Sequence, residues 1–235
     1  RPLWVQGFHT WMLGLASQWM NLSGLHANSV APILVSREQG RRKSTFCRSL
    51  MPDVLMRYYT DNLKLTSQGQ AERLLAEMGL LNMDEFDKYA ETKMPLLKNL
   101  MQMSTLNIRK AYQQSFRQLP RVASFIGTSN RFDLLTDPTG SRRFLCVEVK
   151  HNIDCTHIEH DQIFAQLKAE LSAGRRNWFT KKEEEELQRH NEKFYRISLV
   201  EEVLVSRFRT PLPHEKSLDL TAADIFSELQ TVNPA

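Results

Sequence analysis

The stretch that decides the fold is "APILVSREQGRRKSTFCRSLM", residues 31–51. Residues 31–36 are a short apolar run that ends at a polar loop, which is typical of a buried strand, and residues 43–51 favour a helix. The loop between them is basic and leads into a helix N-terminus, which is a favourable place to bind an anion. This order suggests a phosphate-binding loop; the plainer alternative is the basic start of a surface helix.

The loop departs from the usual phosphate-loop pattern, G-x-x-x-x-G-K-[ST], in which glycines let backbone N–H groups surround phosphate oxygens. When Lys43 and Ser44 are aligned on that pattern, Arg37 and Arg42 stand at its glycine positions, and Gly40 is the glycine that remains. An arginine at position 42 must either adopt an unusual backbone angle or swing outward. Two interpretations stay open: the arginines add charge to phosphate binding, which we favour, or the loop no longer closes around a nucleotide.

Composition excludes several classes of protein. The 235 residues are 41% hydrophobic and 25% charged, which argues against disorder and against a membrane protein. The three cysteines form no paired spacing, so we expect free thiols in a reducing compartment and a cytoplasmic location. The net charge of +4 permits nucleic-acid binding without requiring it. Because the chain starts at an arginine, we expect a fragment of a longer protein.

Strand and helix patterns alternate along the chain. Aromatic residues at three- to four-residue spacing predict a helix over 3–30 that packs into the core. The patterns predict further helices at 43–51, 69–78, 92–103, 160–173, 180–206 and 220–229, the last capped by Thr221, and strands at 31–36, 80–83, 121–130 and 142–149. This alternation predicts an α/β layered domain, followed by a helical portion, a linker with two prolines and a truncated appendage.

A pair of acids ends a second apolar run, in "LLNMDEFD", residues 80–87. Asp84 is placed to act in the outer sphere of a Mg²⁺ ion, and Glu85 to polarise a water against a γ-phosphate. The alternative is a solvated strand end. The phosphate-loop candidate about forty residues upstream favours the functional interpretation.

A third group of candidates lies in "FIGTSNRFDLLTDPTGSRRF", residues 125–144. Asn130 at the tip of a strand can position an attacking water, and Arg142 or Arg143 can reach the γ-phosphate of a neighbouring subunit as an arginine finger. The alternative is a Pro-Gly turn with surface arginines.

These three groups, in this order, resemble the helicase-like domain of the virulence-associated protein E family, which belongs with the superfamily 3 helicases of phages and mobile elements. The resemblance covers roughly residues 30 to 205. It rests on "QGRRKSTF", on "NMDEFD", on "LLKNLMQMSTLNIRKAYQQSFRQLPRVASFIGTSNR" and most specifically on "DPTGSRRFLCVEV".

The resemblance implies a P-loop AAA+-like nucleotide-binding core. Together with the strand and helix patterns, it divides the chain into an N-terminal helical segment at 1–30, the core at 31–150, a helical C-terminal part of the same domain at 151–209, and a linker with the start of a truncated appendage at 210–235. Gly40, Arg42, Lys43, Ser44 and Thr45 would hold the phosphates of ATP. Ser44 and Asp84 would hold Mg²⁺, Glu85 would orient the water, Asn130 would sense the γ-phosphate, and Arg142 or Arg143 would be the finger.

The implied activity is that of an ATP-dependent helicase or translocase on single-stranded DNA, assembled as a homo-oligomeric ring and often joined to a primase domain. The alternative from another class is a non-hydrolysing DNA-binding or assembly module with a degenerate phosphate loop. A P-loop phosphotransferase is less favoured, because no acceptor motif is present.

The predicted DNA-binding segment is "LNIRKAYQQSFRQLPR", residues 106–121, where superfamily 3 helicases carry a DNA-contacting hairpin. Its cations are spaced among aromatic residues, which suits a groove that follows a phosphate backbone and stacks bases. The candidate contacts are Arg109, Lys110, Tyr112, Arg117 and Arg121. The alternative is a basic subunit interface, and Arg121 could contact nucleotide instead of DNA.

Overall fold

The computed structural model describes residues 2–22, 24, 26–65, 68–109, 116–196, 199–212 and 214–230. The chain divides into two compact units, residues 1–195 and 196–235. The sequence placed the start of the last segment at 210, whereas the division by internal contacts follows Tyr195. Among the described residues, no helix combines the length and the apolar character that a bilayer span requires.

The first unit is built on a parallel sheet of five strands in the order β2-β3-β6-β1-β7. A separate antiparallel hairpin pairs β4 with β5. The strands are β1 (Ala31–Val35), β2 (Tyr59–Thr60), β3 (Leu80–Met83), β4 (Thr105–Arg109), β5 (Phe116–Pro120), β6 (Ser124–Ser129) and β7 (Phe144–Glu148). The prediction of an α/β fold is confirmed. All residues of β1, β3 and β6 are buried, as expected for a parallel sheet that is covered on both faces.

The helices are α1 (Leu3–Trp19), α2 (Lys43–Ser49), α3 (Gln68–Glu77), α4 (Met94–Gln102), α5 (His160–Ser172), α6 (Lys181–His190), α7 (Leu199–Arg207) and α8 (Ala222–Gln230). One apolar cluster joins α3 and α4 to one face of the sheet, and a second joins α1, α2 and α5 to the other. The predicted cap of the last helix is confirmed, because the backbone N–H of Asp224 donates to Thr221 Oγ1 over 3.3 Å.

Two predicted helices are longer than the structure has them. The helix predicted over 3–30 ends at Trp19, and Asn21 and Gly24 beyond it have left-handed φ angles of 54° and 52°. The helix predicted over 180–206 breaks after His190, where a 3₁₀ turn begins. The side chain of Asn191 at this break is buried, and its Nδ2 donates to the carbonyls of Ser141 and Phe144 over 2.8 and 2.7 Å.

Arg121 is a structural residue, so the prediction that it contacts DNA is wrong. Its side chain is only 1% exposed. Nη1 donates to the carbonyls of Leu100 and Met101 over 2.9 and 2.6 Å, at the C-terminal end of α4, where the helix dipole favours a cation. Nη2 donates to Gln18 Oε1 and to the carbonyl of Asn28 over 2.8 and 2.7 Å.

The acceptors of Arg121 belong to a buried polar network that joins α1 to the start of β6. Gln18 Nε2 donates to the carbonyl of Ala123 over 2.8 Å, and Asn28 Nδ2 donates to Ser124 Oγ over 3.0 Å. No carboxylate is among these partners of the guanidinium, and burial lowers the pKa of Arg121 to about 9. Carbonyl and amide oxygens, together with the ring of Phe125, whose centre lies 5.6 Å from the guanidinium carbon, therefore compensate for the buried charge.

Candidate functional site

A cleft of about 370 Å³ opens at the carboxyl edge of the sheet, above β1, β3 and β6. It forms there because the carboxyl ends of parallel strands lie at the same edge. The predicted nucleotide-site residues come together around it: Gly40, Arg42, Lys43, Ser44, Thr45, Asp84, Glu85 and Asn130 all line the cleft.

Lys43 is the first residue of α2 and is 7% exposed. Its Nζ donates to Ser36 Oγ at the end of β1 and to Asn130 Oδ1 at the end of β6, both over 2.9 Å. Burial lowers the pKa of Lys43, and the charges of Asp84 and Asp87 act in the opposite direction. Because an ammonium has three donors, these two bonds leave one that an anion in the cleft can accept.

Asp84 follows β3 directly and is joined to α2 and β6 through one carboxylate oxygen. Ser44 Oγ donates to Asp84 Oδ1 over 2.7 Å, and Thr128 Oγ1 donates to the same oxygen over 2.6 Å. The carboxylate is exposed to the cleft. A hydroxyl and a carboxylate in contact are oxygen ligands of the kind that Mg²⁺ prefers.

The backbone on both sides of the cleft is left-handed at non-glycine residues. Arg42 has φ 60° and Glu85 has φ 50°. The side chain of Arg42 is exposed while it lines the cleft, and of the two possibilities predicted for position 42 the unusual backbone angle is confirmed. Gly40 has φ 80°, and a Cβ there would meet no atom within 4 Å, so the backbone angle rather than space favours glycine.

Of the other two loop arginines, Arg41 lines the cleft and Arg37 does not. The guanidinium of Arg37 lies 5.3 Å from the ring centre of Phe132. Arg41 forms an ion pair with Glu38, and its carbonyl accepts the N–H of Ile153 over 3.2 Å. The loop is therefore fixed by its own charged residues, and Arg37, at the first glycine position of the pattern, does not obstruct the cleft.

Glu85 has a cationic neighbour. Its Oε2 accepts from Lys88 Nζ over 2.6 Å, and both side chains are substantially exposed. Exposed ion pairs of this kind contribute little, about 0 to 1 kcal/mol, so the carboxylate can leave Lys88 at small cost.

The sequence did not identify four polar residues of the site, which are Ser36, Asp87, Thr128 and Ser129. Ser36 holds Lys43, Thr128 holds Asp84, and Ser129 Oγ donates to Asp87 Oδ1 over 2.7 Å. All four lie at the end of a parallel strand or within four residues of it. Position alone could have found them, because such strand ends converge on one edge.

Arg142 and Arg143 lie away from the cleft of their own chain. They precede β7, whose first residue Phe144 pairs with Ala31, whereas the phosphate-loop candidate follows Val35 at the other end of β1. A five-residue strand, roughly 16 Å long, separates the two levels.

The two arginines differ in their surroundings. Arg142 is 46% exposed, with a long ion pair of 3.6 Å from its Nε to Glu184. Arg143 is half-buried; desolvation lowers its pKa, and the charge of Arg142 acts in the same direction. Of the pair, Arg142 is the one that solvent and a second molecule can reach.

The predicted DNA segment contains the β4–β5 hairpin, in which Arg109 pairs with Phe116 and Ile108 with Arg117. Arg117 is exposed. Lys110 and Tyr112 lie outside the described residues. Of the candidate DNA contacts, the structure thus places Arg109 and Arg117 on one hairpin and Arg121 in the core.

The fold and the site define the class of protein: an α/β protein with a parallel sheet and a polar cleft at the carboxyl edge of that sheet. Residues 5–196 match the virulence-associated protein E-like domain, and the chain belongs to that family. The predicted resemblance is therefore confirmed. No curated protein matches the sequence.

The solved structures that resemble this chain include the C-terminal region of NrS-1 in its apo form. One of them shares 14% identity with a TM-score of 0.50 and covers 86% of this chain and 49% of that one. A second, the A form, shares 15% identity with a TM-score of 0.46 over 86% and 48% of the two chains. The chain thus spans about half the length of these NrS-1 structures, and the likeness concerns the fold.

Proposed function

We propose that this chain is the ATPase part of a P-loop, AAA+-like motor of superfamily 3 type, which hydrolyses ATP with Mg²⁺ and moves along single-stranded DNA in the cytoplasm. The observation that carries the proposal is the convergence of three strand ends on one cleft. Lys43 lies between Ser36 and Asn130, and Ser44 contacts Asp84, so the groups that would meet the phosphates and the metal are adjacent.

The residues present fit a nucleotide and its metal. Lys43 would neutralise phosphate charge with its remaining donor, and the first N–H groups of the helix would bind phosphate oxygens. Ser44 and Asp84 would hold Mg²⁺, which when bound neutralises charge that develops on the phosphate oxygens.

Glu85 and Asn130 would handle the attacking water. Glu85 would leave its exposed pair with Lys88 and accept a hydrogen bond from that water, holding it in line with the γ-phosphate. Asn130, already bonded to Lys43, would report whether the γ-phosphate is present. Catalysis would consist of positioning and charge stabilisation.

The finger arginine would act between subunits. Because Arg142 lies at the edge of the sheet opposite the cleft, it would complete the site of a neighbour, and a head-to-tail ring supplies that geometry. The exposed Arg142 is the better finger candidate of the two. The β4–β5 hairpin, with Arg109 and Arg117, would contact the DNA backbone. A primase domain upstream is part of the same proposal.

The test is phosphate release, measured with and without single-stranded DNA, for the wild type and two variants. We expect DNA to stimulate release, and Lys43→Ala and Glu85→Gln each to abolish it. ATP binding should fail in Lys43→Ala and persist in Glu85→Gln, because, of the two substituted residues, Lys43 would contact the phosphates and Glu85 would contact the water. Normal turnover in Glu85→Gln would exclude Glu85 as the residue that orients the water.

A specific feature favours one rival, a DNA-binding or assembly module that does not hydrolyse ATP. Glu85 is paired with Lys88, and Arg42 replaces the glycine that normally precedes the lysine. The rival predicts DNA binding that ATP does not change and no phosphate release in any variant. Lys88→Ala separates the two proposals. In the motor, freeing Glu85 should maintain or raise the rate of phosphate release; in the module, Lys88→Ala should release no phosphate, like the wild type.

A further inference from the structure

The 3₁₀ turn that carries Arg142 is tied to α4 by an ion pair. Asp137 directly precedes this turn, which covers Pro138–Arg143, and its Oδ2 accepts from Lys98 Nζ. The side chain of Lys98 is only 15% exposed, whereas that of Asp137 is 45% exposed. Neither residue lines the phosphate cleft of its own chain. The pair therefore needs an explanation other than direct contact with a nucleotide in that cleft.

Gly140 brings the backbone of the turn directly against the ion pair. A Cβ at position 140 would overlap with Nζ and Cε of Lys98 and would lie 2.8 Å from Asp137 Oδ2. The N–H of Gly140 also donates to the carbonyl of Asp137 over 3.3 Å. The turn thus packs onto the ammonium, and this close approach requires glycine.

Lys98 projects from a helix that the core holds in place. α4 buries Leu97, Leu100 and Met101, each 0% exposed. Its last carbonyls accept hydrogen bonds from the buried guanidinium of Arg121, over 2.9 and 2.6 Å. Because both the helix and the lysine side chain have little freedom, Lys98 gives the turn a fixed point of attachment.

The far side of the turn is fixed separately. Asn191 Nδ2 donates to the carbonyl of Ser141 over 2.8 Å, and the hydroxyls of Ser141 and Tyr195 are hydrogen-bonded to each other. Ser141 is buried, whereas the side chain of Arg142, the next residue, is 46% exposed. The turn is thus held on both sides of Gly140 while Arg142 projects outward, which is how a preorganised functional group is supported.

We propose that Lys98 is a positioning residue for the finger arginine: its ion pair with Asp137 holds the turn so that Arg142 reaches the γ-phosphate in a neighbouring subunit. The inference rests on the proposed function, because it takes Arg142 to complete a neighbour's cleft. A displacement of about 1 Å in a catalytic group can cost about 100-fold in rate. The ion pair would therefore control hydrolysis in the neighbour and not nucleotide binding in its own chain.

The first test separates the rate of hydrolysis from ATP affinity. We expect Lys98→Met and Asp137→Asn to lower kcat for phosphate release about 100-fold and to change the dissociation constant of ATP less than about 2-fold. Gly140→Ala should act in the same direction, because the added methyl group displaces the ammonium. Lys93→Met is the matched control, at an exposed lysine directly before α4, and should change neither quantity.

The second test mixes variants, which a merely structural role of Lys98 would not survive. Lys98→Met would have a sound cleft and a displaced finger, and Lys43→Ala an inactive cleft and a sound finger. In rings assembled from equal amounts of both, about a quarter of the sites would combine the two sound parts and should hydrolyse ATP at the wild-type rate. A mixture of Lys43→Ala with Glu85→Gln is the control and should stay inactive, because both changes lie in the cleft.

Each outcome bears on the inference. A kcat of Lys98→Met near that of the wild type, or a mixture that restores no activity, would overturn it. If Lys98→Met does not fold, Asp137→Asn replaces it in both tests, because its side chain is more exposed. Loss of ATP binding in both variants would also overturn the inference. If the wild type releases no phosphate, the proposed function itself fails; if the wild type is active and Lys98→Met equals it, only the role of Lys98 fails.

Discussion

Lys43 and Arg121 are both cations in buried positions, 7% and 1% exposed, yet the protein holds them in different ways. Lys43 has two oxygen partners and borders an open cleft, with Asp84 and Asp87 close enough to affect its pKa. Arg121 has four oxygen partners, all from carbonyl and amide groups in the core.

The difference separates a binding residue from a structural one. Arg121 is enclosed by α1, α4 and the start of β6, so its donors have no access to a ligand. Lys43 keeps one donor at the wall of a cleft, where an anion can approach. Burial alone does not distinguish the two; access to the remaining donor does.

The largest expected effect is on folding, from Arg121→Met. The apolar side chain would remove a donor from four buried oxygens, of which Gln18 Oε1 keeps the N–H of Asn28, so we expect the free energy of unfolding to fall by about 3–5 kcal/mol. Urea denaturation followed by circular dichroism measures it. Arg117→Met, at an exposed position four residues earlier, is the matched control and should stay within about 0.5 kcal/mol of the wild type.

If Arg121 is structural and Lys43 is a binding residue, Lys43→Met should lower the free energy of unfolding much less than Arg121→Met does in the same assay. Ser36 and Asn130 lie at an open cleft, where water can replace the ammonium, so we expect a change below about 1 kcal/mol. Equal losses in Arg121→Met and Lys43→Met would contradict the distinction between a structural and a binding cation.

A second variant tests the carboxylate beside Lys43. Thr128→Val keeps the shape of the side chain but removes the hydroxyl that donates to Asp84 and accepts the N–H of Glu85. Because outer partners orient metal ligands, we expect the Mg²⁺ concentration for half-maximal ATP hydrolysis to rise about 10- to 100-fold.

The control for Thr128→Val is Thr105→Val, at an exposed position on β4, which should leave the Mg²⁺ dependence unchanged. An unchanged Mg²⁺ requirement in Thr128→Val would mean that Ser44 alone fixes the orientation of Asp84.

The smallest expected effect is a pH dependence of ATP binding. Burial lowers the pKa of Lys43 below its ordinary 10.5, and a bound triphosphate would raise it again by stabilising the charge. ATP affinity should therefore fall as the pH rises through the pKa of the free protein, by at most about tenfold per pH unit.

Isothermal titration calorimetry on the alkaline side, with circular dichroism to verify folding, measures this dependence. Lys43→Arg keeps its charge throughout, so its ATP affinity, whatever its size, should not show the fall. A wild-type affinity that stays constant up to pH 10.5 would contradict a contact between Lys43 and the phosphates.

Much of the candidate site could be predicted, because it follows strand ends. Lys43, Asp84 and Asn130 come after three separate apolar runs, and runs that form parallel strands end at one edge. The buried role of Arg121 could not be predicted in this way. Its acceptors at Gln18, Asn28, Leu100 and Met101 are remote in sequence, and nothing local marks them as neighbours.

The positions of Arg142 and Arg143 depend both on the local sequence and on the tertiary structure. Sequence indicated a turn before a strand, but the parallel pairing of β7 with β1 puts that turn at the edge opposite the cleft. The amide of Asn191, at the break after α6, likewise donates to carbonyls about fifty residues earlier, and these partners are also set by the tertiary structure.

The sequence by itself determined four strands of the parallel sheet (β1, β3, β6 and β7), the family, and the polar residues that follow the apolar runs, because hydrophobic period and strand-end chemistry are local properties. The tertiary structure alone decided which cations are enclosed and which face a cleft. That distinction depends on which oxygens of distant segments surround each charge, and only the folded chain brings those segments together.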